Sequence, residues 1–228
     1  MSNLDSLKTN IQKIKLVKKL IKYWGECRVD IHQYKSDKDT AYSFYDKQGV
    51  FNIVVNPTNK FREWMENLLF IFNSRKPWGF IAYSYRNVAE DFFPMMDKNY
   101  NGISPINFKG ASRGGAICHP LYCMFENKYK NNRRLHLYTF GCPPTGKDDA
   151  VAYYALIDMN HTRVVNKYDG VPSIPFYGKH YESELIELDN NRRAEMKWWR
   201  RPFNLTKEAH LGYGTDLQKL LMELENEK

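Results

Sequence analysis

The chain has 228 residues, 43% of them hydrophobic, 26% charged and 15% aromatic. This composition supports a sizeable buried core and excludes a disordered or low-complexity protein. No apolar run approaches the roughly 18 residues a membrane helix needs. The formal net charge of +8 favours anionic partners such as nucleic acid, acidic lipid headgroups or a phosphate-bearing substrate, and by itself selects none of them.

The N-terminal stretch predicts a basic amphipathic helix over residues 5–24. Ile11, Ile14, Val17, Leu20, Ile21 and Trp24 fall on one arc of the helical wheel and Lys15, Lys18, Lys19 and Lys22 on the other. Such a helix either packs its apolar face on the rest of the chain or docks on an anionic membrane or partner. Lysines interrupt every apolar stretch and no small-residue cleavage site follows, so a signal peptide is not expected, and the reading is cytoplasmic synthesis with peripheral membrane association as an option. Cys27, Cys118, Cys123 and Cys142 match no zinc spacing and read as reduced thiols.

From Phe51 the pattern alternates. FNIVV (51–55), ISPINFKG (103–110), RLHLYTFG (134–141) and TRVVNKY (162–168) are rich in β-branched and aromatic residues and predict strands. Between them KFREWMENLLF, YRNVAEDFFPMM, GGAICHPLYCMFENKY and DDAVAYYALIDM predict helices. YESELIELD (181–189) predicts a late edge strand, followed by a loop holding MKWWRRPFN and a last helix near TDLQKLLMELENE. The expectation is an α/β fold, a mainly parallel central sheet with helices on both faces, in a single domain spanning residues 1–228.

The stretch FKGASRGGAICHP (108–120) carries Gly110-Ala111-Ser112-Arg113-Gly114 between a predicted strand and a predicted helix. A bare G-x-S-x-G pattern is common by chance, but this placement suits a strained corner that exposes a nucleophilic serine, with small neighbours letting the corner form. The alternative is an ordinary structural turn. In the nucleophile reading the N–H of Arg113 and the positive end of the helix point at a developing oxyanion. A serine needs a base and the base an orienting acid. Asp169, at the end of a predicted strand and the start of an Asp-Gly-Val-Pro turn, is the candidate acid, or else a plain Asx turn. His180 and His210 follow it and are both candidates for the base; His119, in a predicted helix, and His136, in a predicted strand, read as structural.

In these residues the chain resembles the class 3 lipases, a branch of the α/β-hydrolases. NIVVNPTNKFREWMENL (52–68) is similar to the family's strand, oxyanion turn and lid helix, and WGFIAYSYRNV (78–88) to the segment before the nucleophile strand. FKGASRGGA resembles the elbow, LYTFGCPPTG (137–146) the Thr-Phe-Gly run, RVVNKYDGVPSIP (163–175) the acid turn, and AHLGY (209–213) the histidine followed by an aromatic. The resemblance implies Ser112 as nucleophile, Asp169 as acid and His210 as base, with His180 a non-catalytic histidine. It also implies Thr58 as the first oxyanion donor beside the Arg113 amide; Thr58 equally suits a helix N-cap. The sequence departs from the family at Asn56-Pro57, where Arg-Gly is usual, and at Ala111 and Arg113, where His and Leu are common.

The activity implied is hydrolysis of a lipid or acyl ester through an acyl-enzyme, with no metal and no organic cofactor. Phe61, Trp64, Met65 and Leu68 share one helical face that either covers the site as a lid or packs on the core. The basic first helix, with Arg113 beside the nucleophile, points to an anionic lipid such as a phospholipid; a neutral acylglycerol or a soluble acyl ester are the other substrates. Two rivals come from other classes. One is a catalytically silent hydrolase fold acting as a binding or structural protein, favoured by the Asn-Pro substitution. The other is nucleic-acid binding through Lys197, Trp198, Trp199 and Arg200, which is not expected.

Overall fold

The structure is a computed structural model, described for residues 9–36, 39–56, 72–74, 80–130, 134–174, 178–181, 183–189 and 210–227. In chain order it contains α1 (Asn10–Cys27), β1 (Tyr34–Ser36), β2 (Asp39–Tyr45), β3 (Phe51–Val55), β4 (Phe72–Ser74), β5 (Phe80–Ala82), α2 (Tyr83–Asp97), β6 (Ile106–Ala111) and α3 (Arg113–Lys128). There follow β7 (Leu135–Phe140), α4 (Asp148–Leu156), β8 (His161–Asn166), a short 3-10 turn (Val171–Ser173), β9 (Glu184–Leu188) and α5 (Tyr213–Asn226).

Seven strands form one sheet in the order β1-β2-β3-β6-β7-β8-β9. From β3 onward every pairing is parallel, whereas β1, β2 and β3 pair antiparallel. The fold is therefore the expected α/β-hydrolase type, a mainly parallel sheet covered on both faces. Side-chain alternation along each strand feeds two cores. Ile53, Val55, Ile106, Phe108, Leu135 and Leu137 face α2 and α3. Val54, Ala111, Tyr138, Phe140, Val164 and Ile186 face α1 and α5. With both faces covered, β3 is buried at all five positions, which is why its sequence is an unbroken apolar run apart from Asn52.

The first helix starts at Asn10, because Thr9 has extended backbone and its side chain accepts from the Gln12 N–H at 3.3 Å. Residues 5–8 of the expected helix lie outside the described residues. Val17, Leu20, Tyr23 and Cys27 are buried, with Ile14, Ile21 and Trp24 packed around them, while Ile11 is 63% exposed. Apart from Ile11, the apolar arc is thus packed against the sheet and α5, which leaves little of it for insertion into a membrane.

Two differences from the expected elements concern strands. β1 and β2 were not anticipated, because YKSDKDTAYSFY mixes charged and aromatic residues at the half-exposed end of the sheet. The small β4–β5 ladder is separate from the main sheet. The late strand β9 does form the expected edge, pairing with β8 alone. All four cysteines are buried and unpaired. No helix among the described residues is long and apolar enough to cross a membrane.

Candidate active site

The parallel strands β6, β7 and β8 end together, and Ser112, Asp169 and His210 collect at that edge. Ser112 joins β6 to α3 with φ 54° and ψ −129°, a conformation that costs a non-glycine residue about 1–3 kcal/mol. Its surroundings explain how the corner is held. A Cβ at Gly110 would lie 2.5 Å from the backbone of Gly114 and Gly115. One at Gly114 would collide with the Val55 carbonyl oxygen and come within 2.9 Å of the Asn56 carbonyl oxygen. The two glycines flanking the serine let strand and helix meet backbone to backbone, and the Ser112 N–H anchors the corner by donating to Phe140 O at 2.8 Å.

Arg113 occupies the first position of α3, where the helix itself offers its N–H no acceptor. Its side chain is buried against Asp39 of β2, with three hydrogen bonds of 2.9 to 3.1 Å. This corrects one expectation: the guanidinium is neutralised by Asp39 and supplies no free positive charge beside Ser112 for an anionic substrate.

Asp169 sits in the turn beyond β8, where its N–H donates to Asn166 O at 3.0 Å. Its carboxylate does two jobs at once. Oδ1 accepts from the Val171 N–H at 2.9 Å, which makes the Asx turn, while Oδ2 accepts from His210 Nδ1 at 2.7 Å and from the Tyr213 hydroxyl at 2.9 Å. The Asx turn is formed, and the same side chain also engages His210. The carboxylate is fully buried, so its charge is supported by these donors rather than by water.

The two candidate histidines take different partners. His210, immediately ahead of α5, is the one bonded to Asp169. His180 instead donates from Nε2 to Pro172 O at 2.6 Å, bracing the turn that carries Asp169; burial first and the nearby Arg163 charge second lower its pKa to about 3. His119 donates from Nδ1 to Gly115 O at 3.0 Å, and His136 from Nε2 to Thr162 Oγ1 at 2.8 Å. Both are held neutral, at about 4 and about 3, chiefly by burial.

Gly141 links the serine to this pair. The register sets Ala111 opposite Phe140, so Ser112 stands beside Gly141 at the end of β7. Gly141 has φ 57°, and a Cβ there would lie 2.7 Å from Asp169 Oδ2 and 3.0 Å from His210 Nδ1. The serine is thus one strand from a buried His–Asp pair, with Gly141 at the end of the intervening strand. Gly141, Tyr213 and Asp39 were not assigned roles from the sequence. The Thr-Phe-Gly run and the aromatic after His210 were visible signals for the first two, and Asp39 had none.

Thr58, the predicted lid residues Phe61, Trp64, Met65 and Leu68, and the Lys197–Arg200 stretch lie outside the described residues. No cluster of three or more His, Cys, Asp or Glu side chains suited to a metal occurs among the described residues. A cavity of about 690 Å³ opens at the opposite end of the strands, lined by residues including Leu135, Asn160 and Ser183, which start or precede β7, β8 and β9. Parallel α/β sheets place their chemistry at the carboxyl ends of the strands, which sets that cavity apart from the Ser112 edge.

Comparison with known proteins places residues 52–179 in the family model Lipase (class 3). A lipase of Rhizopus niveus is 27% identical over 141 residues, covering 57% of this chain and 36% of its own length; the chain therefore matches little more than a third of that relative. Among solved structures, lipase II from Rhizopus niveus superposes with a TM-score of 0.58 at 24% identity, over 69% of this chain and 64% of that one. A triacylglycerol lipase whose catalytic centre is formed by a serine protease triad gives 0.58 at 21% identity, over 69% and 63%. Identities this low carry the likeness of fold.

Proposed function

Because this chain belongs to the class 3 lipase family and sets a strained serine one strand from a buried His–Asp pair, we propose that it is a serine ester hydrolase acting on lipid or acyl esters. The observation that carries the reading is the Asp169–His210 bond. By accepting from Nδ1–H, Asp169 fixes the tautomer that leaves the Nε2 lone pair of His210 available as a base.

In this mechanism His210 Nε2 takes the proton of Ser112 as Oγ attacks the ester carbonyl carbon. The carbonyl oxygen becomes an oxyanion held by the amides of Arg113 and Thr58. The tetrahedral intermediate collapses to an acyl-serine, and His210 returns the proton to the departing alcohol. Water, deprotonated by the same histidine, then attacks the acyl carbon; the acid leaves as the Oγ–acyl bond breaks and His210 returns the proton to Ser112 Oγ. Neither metal nor organic cofactor enters any step.

The substrate reading is lipid first, by analogy with the triacylglycerol lipase that shares the fold. A preference for anionic headgroups draws no support from Arg113, whose charge is matched by Asp39. It rests on the outer face of α1, where Lys15, Lys18 and Lys22 are exposed; of these, Lys18 pairs with Glu225 and Lys22 with Glu26. Peripheral membrane contact is therefore proposed as electrostatic, without insertion. The four buried thiols support folding in a reducing compartment such as the cytoplasm.

The test is a substrate panel of p-nitrophenyl butyrate, a tributyrin emulsion and phosphatidylglycerol vesicles, assayed with wild type and Ser112→Ala. Turnover by the wild type that disappears in Ser112→Ala is expected. A well-folded wild type inactive on all three contradicts the reading and favours the catalytically silent fold.

A further inference from the structure

The first turn of α3 reads Arg113-Gly114-Gly115, so after Arg113 it has no side chain of its own with which to fix its place. Arg113 supplies that hold through a residue 74 positions earlier. Its Nε donates to Asp39 Oδ1 at 2.9 Å and to Oδ2 at 3.1 Å, and its Nη2 donates to Oδ2 at 2.9 Å. Asp39 is 3% exposed and Arg113 8%.

The neighbouring residue grips the other side of the site. Thr40 O accepts from the Asn56 N–H at 2.9 Å, and Thr40 Oγ1 accepts from Asn56 Nδ2 at 3.1 Å; Ile31 O takes the same amide group at 2.9 Å. Asn56 directly follows β3 and stands two positions ahead of Thr58 in sequence. Its carbonyl is also one of the groups that Gly114 approaches too closely to bear a side chain. Two adjacent residues of β2 thus hold Arg113 and Asn56, the latter with its carbonyl close to Gly114 of the same turn.

We propose that Asp39 is a positioning residue for the oxyanion hole: its ion pair with Arg113 fixes the Arg113 amide, while Thr40 fixes the Asn56 segment facing it. This rests on the ester-hydrolase reading above. A buried ion pair gains little net stability over a well-packed apolar pair, because both charges lose their hydration. What a guanidinium fork on a carboxylate does supply is orientation. A glycine-rich turn carrying an amide that must meet a developing charge is where orientation matters most, since a displacement of about 1 Å from productive geometry can cost about a hundredfold in rate.

The experiment measures both the rate and the completeness of Ser112 labelling by a fluorophosphonate, with kcat and KM on p-nitrophenyl butyrate and the pH profile of turnover. Wild type, Asp39→Asn and Asp39→Glu are compared well below their thermal midpoints. Asp39→Glu keeps the buried charge matched and lengthens the tether, so it stays informative if Asp39→Asn fails to fold. The expected result is complete labelling at a rate lowered ~10- to 100-fold in Asp39→Asn and by less in Asp39→Glu. The loss should fall on kcat rather than KM, and the pH midpoint should stay at its wild-type value because the base is untouched. Incomplete labelling at the wild-type rate would make Asp39 a matter of stability alone and overturn the proposal, as would wild-type rates in both variants. A wild type that does not label at Ser112 would overturn the hydrolase reading itself, which separates the two failures.

Discussion

The Tyr213 hydroxyl donates to Asp169 Oδ2 at 2.9 Å, the same oxygen that receives His210 Nδ1, and it accepts from the Asn166 N–H at 2.9 Å. One phenol therefore ties the acid to the end of β8. Burial and the adjacent Asp169 charge raise its pKa well above the ordinary value, so it remains a donor throughout the working pH range. Tyr213→Phe removes a bond to the carboxylate and leaves a buried N–H without its acceptor. The expected cost is about 1–3 kcal/mol of stability, with a loss of turnover of roughly tenfold or less while His210 and the Asx turn still hold Asp169. Urea unfolding and steady-state kinetics on the same preparation check both.

Gly141→Ala should be far more damaging to activity than its size suggests. The new methyl would lie 2.7 Å from Asp169 Oδ2 and must push the acid or the histidine aside. A kcat loss of about a hundredfold or more is expected. Gly49→Ala is the control: its φ of 75° also favours glycine, but a Cβ there meets nothing within 4 Å. That variant should lose about 1–2 kcal/mol of stability and keep its turnover.

Acid should destabilise the fold through its buried histidines. His119, His136 and His180 have pKa values lowered to about 4, 3 and 3, mainly by burial, against an unfolded value of about 6.5. The unfolded chain binds the extra protons, so this contribution is complete above about pH 6.5 and is lost as pH falls from there toward 4 and 3. Each histidine should cost about 1.4 kcal/mol per pH unit within its window. A urea midpoint that falls steeply between pH 6.5 and 4.5 is expected; His119→Asn should flatten part of the slope. A flat profile contradicts the account.

Adsorption to anionic vesicles tests the outer face of α1. If lysines act by charge alone, binding to phosphatidylglycerol vesicles weakens as sodium chloride rises from 0.05 to about 0.5 M, where the screening length shrinks to a few ångströms. Lys15→Glu with Lys22→Glu should weaken it further without changing turnover of a soluble ester. Salt-independent adsorption would point to apolar contact elsewhere on the surface.

Much of this architecture was legible because the central strands are buried on both faces. FNIVV matched β3 at both ends, and β6, β7 and β8 fell within three residues of expectation at every boundary. The antiparallel β1 and β2 were missed because the half-exposed end of a sheet needs no apolar run, and KSDKDT reads as a turn. At the site, Ser112 could be found because its flanking glycines are a local necessity of the corner. Asp169 was a candidate acid from its turn at a strand end, but the choice of His210 needed a resemblance, since its bond to Asp169 spans 41 residues and His180 satisfied the same chain order. The Arg113–Asp39 pair was beyond local reading: Arg113 looked like a charge offered to substrate, and only the fold brings its partner from 74 residues away.

The central claim is that Ser112 is an activated nucleophile and that His210, held by Asp169, activates it. Intact-mass labelling with a fluorophosphonate, on wild type, Ser112→Ala, Asp169→Ala, His180→Ala and His210→Ala, tests it most directly. The account predicts one adduct on the wild type, none on Ser112→Ala, and labelling slowed strongly in His210→Ala and Asp169→Ala but retained in His180→Ala. Undiminished labelling of His210→Ala, or loss of it in a well-folded His180→Ala, would contradict the assignment.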